Sequence, residues 1–396
     1  MIPAAARSSP LSRAQVLEIA ASLSLDCTFV ETTGDLDRHT SLRVLDKTSS
    51  FFTQEVDDLV LQGKCRLAIH SAKDLPDPLP KSLHMVALTA GVDPSDSLVI
   101  RAEGLPPFPV LATSSDKRQQ VLSLLYPHAR FVDIRGTIGE RLDQLNQKTV
   151  DGVVIAEAAL IRLGLTALPR IRLPGPTTAL QGQLALIAHE EDRDIAALVA
   201  PLDCRRKRLH TGLEAPLNGA LHMPMIAIQP LFWSPPPSFT HLLFTSKMAV
   251  RLFFEKEKLS SSIPIITVGM GTALEVRQRA PHNPIHVAAL EQAEGVLPLL
   301  QGTLFWPHAQ GARSVISDFC HQKQLTLHEA LLYETVTRLY SELPALESME
   351  EIYFTSPSTV TGFLANYGAF PRHARLHAIG AVTAEAIAKF SPLSRE

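Results

Sequence analysis

An apolar run, Leu67-Ala68-Ile69, passes without a spacer into His70-Ser71-Ala72-Lys73-Asp74-Leu75-Pro76, and prolines recur at Pro78 and Pro80. The run suits a buried strand, and three closely spaced prolines forbid a regular element directly after it. A base, a hydroxyl, a cation and a carboxylate are thereby placed on a loop at a strand end. In α/β proteins such loops line the crevice where ligands bind. Taken alone, the cluster reads equally well as a cap, with Ser71 or Asp74 starting a helical turn and Lys73 solvated.

From Val16 to Ala188 short apolar strands alternate with amphipathic helices, the pattern of parallel-sheet α/β units. Strands are expected over 66–69, 110–113, 130–134 and 152–155, and helices over 12–23, 53–62, 118–125 and 138–146. The last of these starts just after Arg135-Gly136, so its first amides are available to an anion. A net charge of −3 over 396 residues offers no bulk attraction for nucleic acid or an anionic membrane, so any anion site must be local. Without a signal-like start or 18 uninterrupted apolar residues, the chain is expected to be cytoplasmic. Four widely spaced cysteines with no C-x-x-C pair suggest neither zinc nor a disulfide framework.

Further polar motifs accompany the first: Arg7-Ser8-Ser9-Pro10-Leu11, Thr32-Thr33-Gly34-Asp35, Ala112-Thr113-Ser114-Ser115-Asp116-Lys117-Arg118, Asp133-Ile134-Arg135-Gly136-Thr137 with Arg141, Ala158 to Gly164 around Arg162, and Gln181-Gly182. In this order they resemble porphobilinogen deaminase (hydroxymethylbilane synthase) over about the first 200 residues. The resemblance implies a periplasmic-binding-protein-like α/β half, residues 1–203, with one lobe over about 1–92 plus 177–203 and the other over about 93–176. It implies that four porphobilinogen molecules are joined with loss of ammonia, Asp74 stabilising the cationic intermediates with Lys73 beside it. Arg7, Ser9, Ser71, Thr113, Ser114, Ser115, Lys117, Arg118, Arg135, Arg141 and Arg162 fall on positions that bind the substrate's acid groups. Arginine's planar fork suits carboxylate.

The chain departs from that family in lacking a third domain, whose Gly-Gly-Cys loop carries a covalent dipyrromethane primer; no Gly-Gly-Cys occurs here. Cys204, flanked by Arg205 and Arg206, is the substitute attachment point, its neighbours being expected to favour thiolate. An ordinary linker cysteine is the other reading. Lys117 stands for an arginine, and Asp116 brings a negative charge beside the anion site.

Residues 204–396 contain an echo. Leu243-Phe244-Thr245-Ser246 then Ile266 to Ala273 recurs as Tyr353-Phe354-Thr355-Ser356 then His377 to Ala384, implying two similar lobes. With Leu332-Tyr333-Glu334-Thr335 between them, these motifs resemble uroporphyrinogen-III synthase, a two-lobed Rossmann-like parallel α/β fold. Its lobes would cover about 207–228 plus 337–396 and about 229–336. That resemblance implies cyclisation of hydroxymethylbilane with inversion of the last ring. Thr245, Ser246, Thr272, Thr355, Ser356, Ser358 and Thr383 would bind substrate, and Tyr333 would donate to the departing hydroxyl. The serines and threonines read as readily as helix caps.

The leading expectation is a bifunctional enzyme, a transferase and lyase of tetrapyrrole (heme) biosynthesis. It acts as a monomer on porphobilinogen and hydroxymethylbilane, without metal, nucleic acid or membrane. Two alternatives stand: only the synthase half acts, or the clefts bind a small molecule without catalysis.

Overall fold

The computed structural model describes residues 1–37, 40–41, 43, 48–175, 177–216, 219–290 and 292–390, with Arg206 described in its backbone only. The chain divides into two compact units. One comprises Met1–His210, Ala215–His222 and Leu346–Ile352, the other Thr211–Glu214, Met223–Ala345 and Tyr353–Glu396.

The first unit contains two five-stranded sheets. One runs Leu25–Val30, Ile2–Arg7, Leu67–Ser71, Leu184–His189, Leu83–Leu88. The other runs Arg130–Val132, Val110–Ala112, Gly152–Ala156, Asp96–Ile100, Arg170–Arg172. Alternation along each strand sorts the side chains. Ala4, Ala6, Leu67 and Ile69 enter the core on one face of the first sheet, and Ala5 and Ala68 enter the core on the other. Helix Ile138–Asn146 starts where expected, with Thr137 and Glu140 forming a capping box. Helix Pro10–Ala20 begins earlier than expected, because Ser9 caps it and Pro10 suits its first turn.

The sheets are mixed rather than purely parallel. Leu184–His189 runs antiparallel to both its neighbours, and Asp96–Ile100 runs antiparallel to Gly152–Ala156. Leu184–His189 follows a return from the other sheet, not a helical crossover, so the rule that fixes parallel neighbours does not bind it.

The second unit contains a six-stranded sheet ordered Ile226–Pro230, Thr326–Thr337, Thr303–Ala309, His241–Phe244, Ile265–Thr267, Ile285–Val287. Leu242, Phe244, Ile265 and Phe305 pack on one face, and Leu243, Ile266, Leu304 and Trp306 on the other. The echoed motifs fold alike: His241–Phe244 leads to Ser246, which caps helix Lys247–Lys256, and Glu351–Phe354 leads to Ser356, which caps helix Pro357–Tyr367.

Gly182 adopts φ +88°, and a Cβ there would lie 2.8 Å from the Val92 carbonyl oxygen. Gly182→Ala is therefore expected to cost about 1–3 kcal/mol, read as a lower urea midpoint; an unchanged midpoint would contradict this packing.

Candidate functional site

The strand Leu67–Ser71 runs two residues further than expected, so His70 is a strand residue with its ring buried, Nε2 lying 2.9 Å from Asp57 Oδ1. Ala72–Asp74 then makes one 3₁₀ turn, pinned where the Ala72 amide donates to the Gln183 carbonyl at 3.0 Å. This turn aims Asp74 into a cavity of about 480 Å³. Arg7, at the end of Ile2–Arg7, brings Nη1 to 4.0 Å from Asp74 Oδ2. Arg7 is itself held by two hydrogen bonds to Asp35 and by the Phe52 ring, 4.6 Å from its guanidinium carbon. Burial alone would raise the Asp35 carboxyl; the Arg7 guanidinium and Thr32 outweigh it and hold that carboxyl below its ordinary range.

Lys73, Arg118, Arg135 and Arg141 line the same cavity. Arg118 donates to Asp96 Oδ1 at 2.6 Å, while its buried Nε has no hydrogen-bond partner among the described residues. Lys73 donates to Gln181 Oε1 at 3.2 Å. Arg135 donates to the carbonyls of Gly34 and Asp37 at 3.3 and 2.6 Å, and Arg141 to that of Gly136 at 2.8 Å. Burial, then Arg118, push the Lys73 ammonium below its ordinary value despite Asp74 and Asp96. Burial, then Arg118 and Arg135, lower Arg141 to about 10. The cations thus repel one another in a poorly solvated space, which favours an anionic ligand.

Ser9 and Ser71 also line the cavity; Ser9 caps its helix, and Ser71 accepts from Gln15 Nε2 at 2.7 Å. Thr113, Ser114, Ser115, Lys117 and Arg162 are not among the residues lining it. Ser114 exchanges hydrogen bonds with the Ile134 backbone, Lys117 is exposed, and Arg162 is held by Glu18 and the Gly182 carbonyl. Sequence reasoning assigned no role to Gln15, Phe52 or Asp96, which carry no motif of their own. Nor did it foresee that Asp116 ion-pairs with Arg43.

Cys204 corrects an expectation. Its thiol is buried, donates to the Thr89 carbonyl at 3.2 Å, and is pushed upward in pKa by burial, with Arg208 opposing. Arg205 is turned to Asp203, so the expected thiolate-favouring neighbourhood does not form.

In the second unit, Tyr333 on Thr326–Thr337 brings its hydroxyl to 3.0 Å from Ser246 Oγ, and burial raises its pKa. Thr245 Oγ1 accepts from Trp306 Nε1 at 3.2 Å. Ser246 and Ser356 are caps, Thr272 and Thr383 are buried, Thr355 is partly buried and Ser358 is exposed.

Because Arg141 is lowered to about 10, the folded state binds that proton more weakly than the unfolded chain; the cost is present below about pH 10 and fades as pH rises above it toward the ordinary guanidinium value. Arg141→Met is accordingly expected to raise the thermal midpoint at neutral pH by about 2–4 °C while weakening anion binding. A lower midpoint would contradict the repulsion.

The family model for the porphobilinogen deaminase, dipyromethane cofactor binding domain, matches residues 2–197, and that for uroporphyrinogen-III synthase HemD matches 208–391. A probable porphobilinogen deaminase of Chlamydia pneumoniae is 43% identical over 50% of this chain and 89% of that protein. One from Chlamydia muridarum is 45% identical over 46% of this chain and 78% of its own length. A solved uroporphyrinogen-III synthetase from Helicobacter pylori is 21% identical, covering 46% of this chain and 88% of that one, with a TM-score of 0.37. The chain belongs to the porphobilinogen deaminase family through its first half and continues in its second as a uroporphyrinogen-III synthase domain.

Proposed function

We propose that this bifunctional tetrapyrrole enzyme uses Asp74 as the catalytic carboxylate of its first half and Tyr333 as a proton donor in its second. The observation that carries the first assignment is the convergence of Asp74 with Arg7, Lys73, Arg118, Arg135 and Arg141 on one cavity. Porphobilinogen carries two carboxylates, which the guanidinium groups bind while orienting the ring. Loss of ammonia leaves an electrophilic azafulvene. The free α-carbon of a second pyrrole attacks its methylene, forming a C–C bond and placing positive charge on ring nitrogen. In this reading the Asp74 carboxylate, which lines the cavity, stabilises that charge and accepts the ring proton. Overall, four porphobilinogen and one water give hydroxymethylbilane and four ammonia.

The cavity's cations fit the acid groups of a dipyrromethane, but no cysteine is among its lining residues to form the thioether. In the second half, the Tyr333 hydroxyl beside Ser246 is the donor for the hydroxyl that leaves hydroxymethylbilane before ring closure. The reading includes a monomer acting on pyrroles in the cytoplasm, with no nucleic acid partner, which accords with the small net charge. Among the described residues no helix is long and apolar enough to cross a membrane.

Incubation with porphobilinogen, followed by oxidation and separation of product isomers, tests both halves: isomer III requires both, and isomer I alone means a silent synthase. Asp74→Asn is expected to lower kcat at least about 100-fold with little change in KM; undiminished turnover removes its role. Tyr333→Phe should leave porphobilinogen consumption intact and shift product toward isomer I, and an unchanged isomer ratio refutes the assignment.

A further inference from the structure

Helix Gln54–Leu61 packs Val56 and Val60 into the same buried cluster as Ala68 and Ala72. His70 lies between those two alanines, and alternation along the strand turns it to the same face, where it meets Asp57 of the helix. Each of the two side chains is only 2% exposed. Asp57 Oδ2 has no hydrogen-bond partner among the described residues, so the buried acid is answered at one oxygen, by His70. Apolar residues of similar volume would pack there without the desolvation cost of such a pair. Stability alone therefore does not account for it.

Its place in the chain does. Ser71, on the opposite face of the strand, accepts from Gln15 of helix Pro10–Ala20, and the Ala72 amide donates to the Gln183 carbonyl. Three successive residues are thus tied to three different segments directly before Lys73 and Asp74. The helix that holds His70 also reaches the other side of the site. Phe52, two residues before its start, sets its ring 4.6 Å from the Arg7 guanidinium carbon, and Arg7 Nη1 lies 4.0 Å from Asp74 Oδ2. One short helix is therefore linked to both partners of that approach, to Arg7 through Phe52 and to the Asp74 turn through Asp57 and His70.

We propose that Asp57 and His70 are positioning residues of the deaminase reaction: their hydrogen bond sets the turn that carries Asp74, so it acts on kcat through Asp74 and not on substrate binding. This rests on the reading of Asp74 given above. A reacting group misplaced by about 1 Å can cost on the order of 100-fold in rate, so a buried tie four residues away has leverage on turnover.

The test follows porphobilinogen consumption by the full chain. A glutamine amide nitrogen reaches about as far as a histidine Nε2, and that of asparagine falls short. His70→Asn and Asp57→Leu are each expected to lower kcat about tenfold or more, with KM changed less than about twofold, and His70→Gln to recover most of the loss. Added to Asp74→Asn, His70→Asn should lower the residual rate less than about twofold, because a group acting through Asp74 has nothing left to place. A general loosening of the fold would cost the same factor in either background. Unchanged kcat in His70→Asn, equal losses in the asparagine and glutamine variants, a loss carried by KM, or the full factor in the Asp74→Asn background overturns the inference and leaves the deaminase reading standing. Undiminished turnover in Asp74→Asn overturns both.

Discussion

Asp96 is the group on which the first unit's site depends. Its carboxylate, nearly excluded from water, accepts from Arg118 at 2.6 Å and from Gln181 Nε2 at 2.9 Å, and Gln181 in turn accepts from Lys73. One buried acid therefore fixes a cation from helix Asp116–Leu125, the Gln181 turn and the residue next to Asp74. Breaking such a buried pair strands a charge, which is far costlier than never having made it.

That arrangement explains why the cavity can concentrate positive charge. Arg7 is answered by Asp35 and Arg118 by Asp96, while Arg135 and Arg141 donate to backbone carbonyls. The cations still lower one another's proton affinity, Arg118 acting on Lys73 and both Arg118 and Arg135 on Arg141. Such a preassembled cluster favours a polycarboxylate, because its electrostatics are in place before a ligand arrives.

The second unit solves a different problem with simpler means. Two strand-to-helix turns end in serine caps, and one of these serines also meets a buried tyrosine. Rigid hydroxyls and amides suit a reaction in which the substrate supplies its own leaving group and the protein orients it.

Much of this was legible in the sequence because it is local. The strand into Asp74, helix Ile138–Asn146 and the doubled Phe-Thr-Ser turns follow from period, capping and proline placement. Tertiary structure alone decided the state of Cys204 and the partners of Arg162 and Asp116. Adjacent arginines promised a reactive thiol, but burial and an Asp203 partner for Arg205 reversed it. Residue type and spacing determine which groups are present and which local elements they start; desolvation and long-range pairing, which depend on residues distant in sequence, determine which of those charges stay free to act.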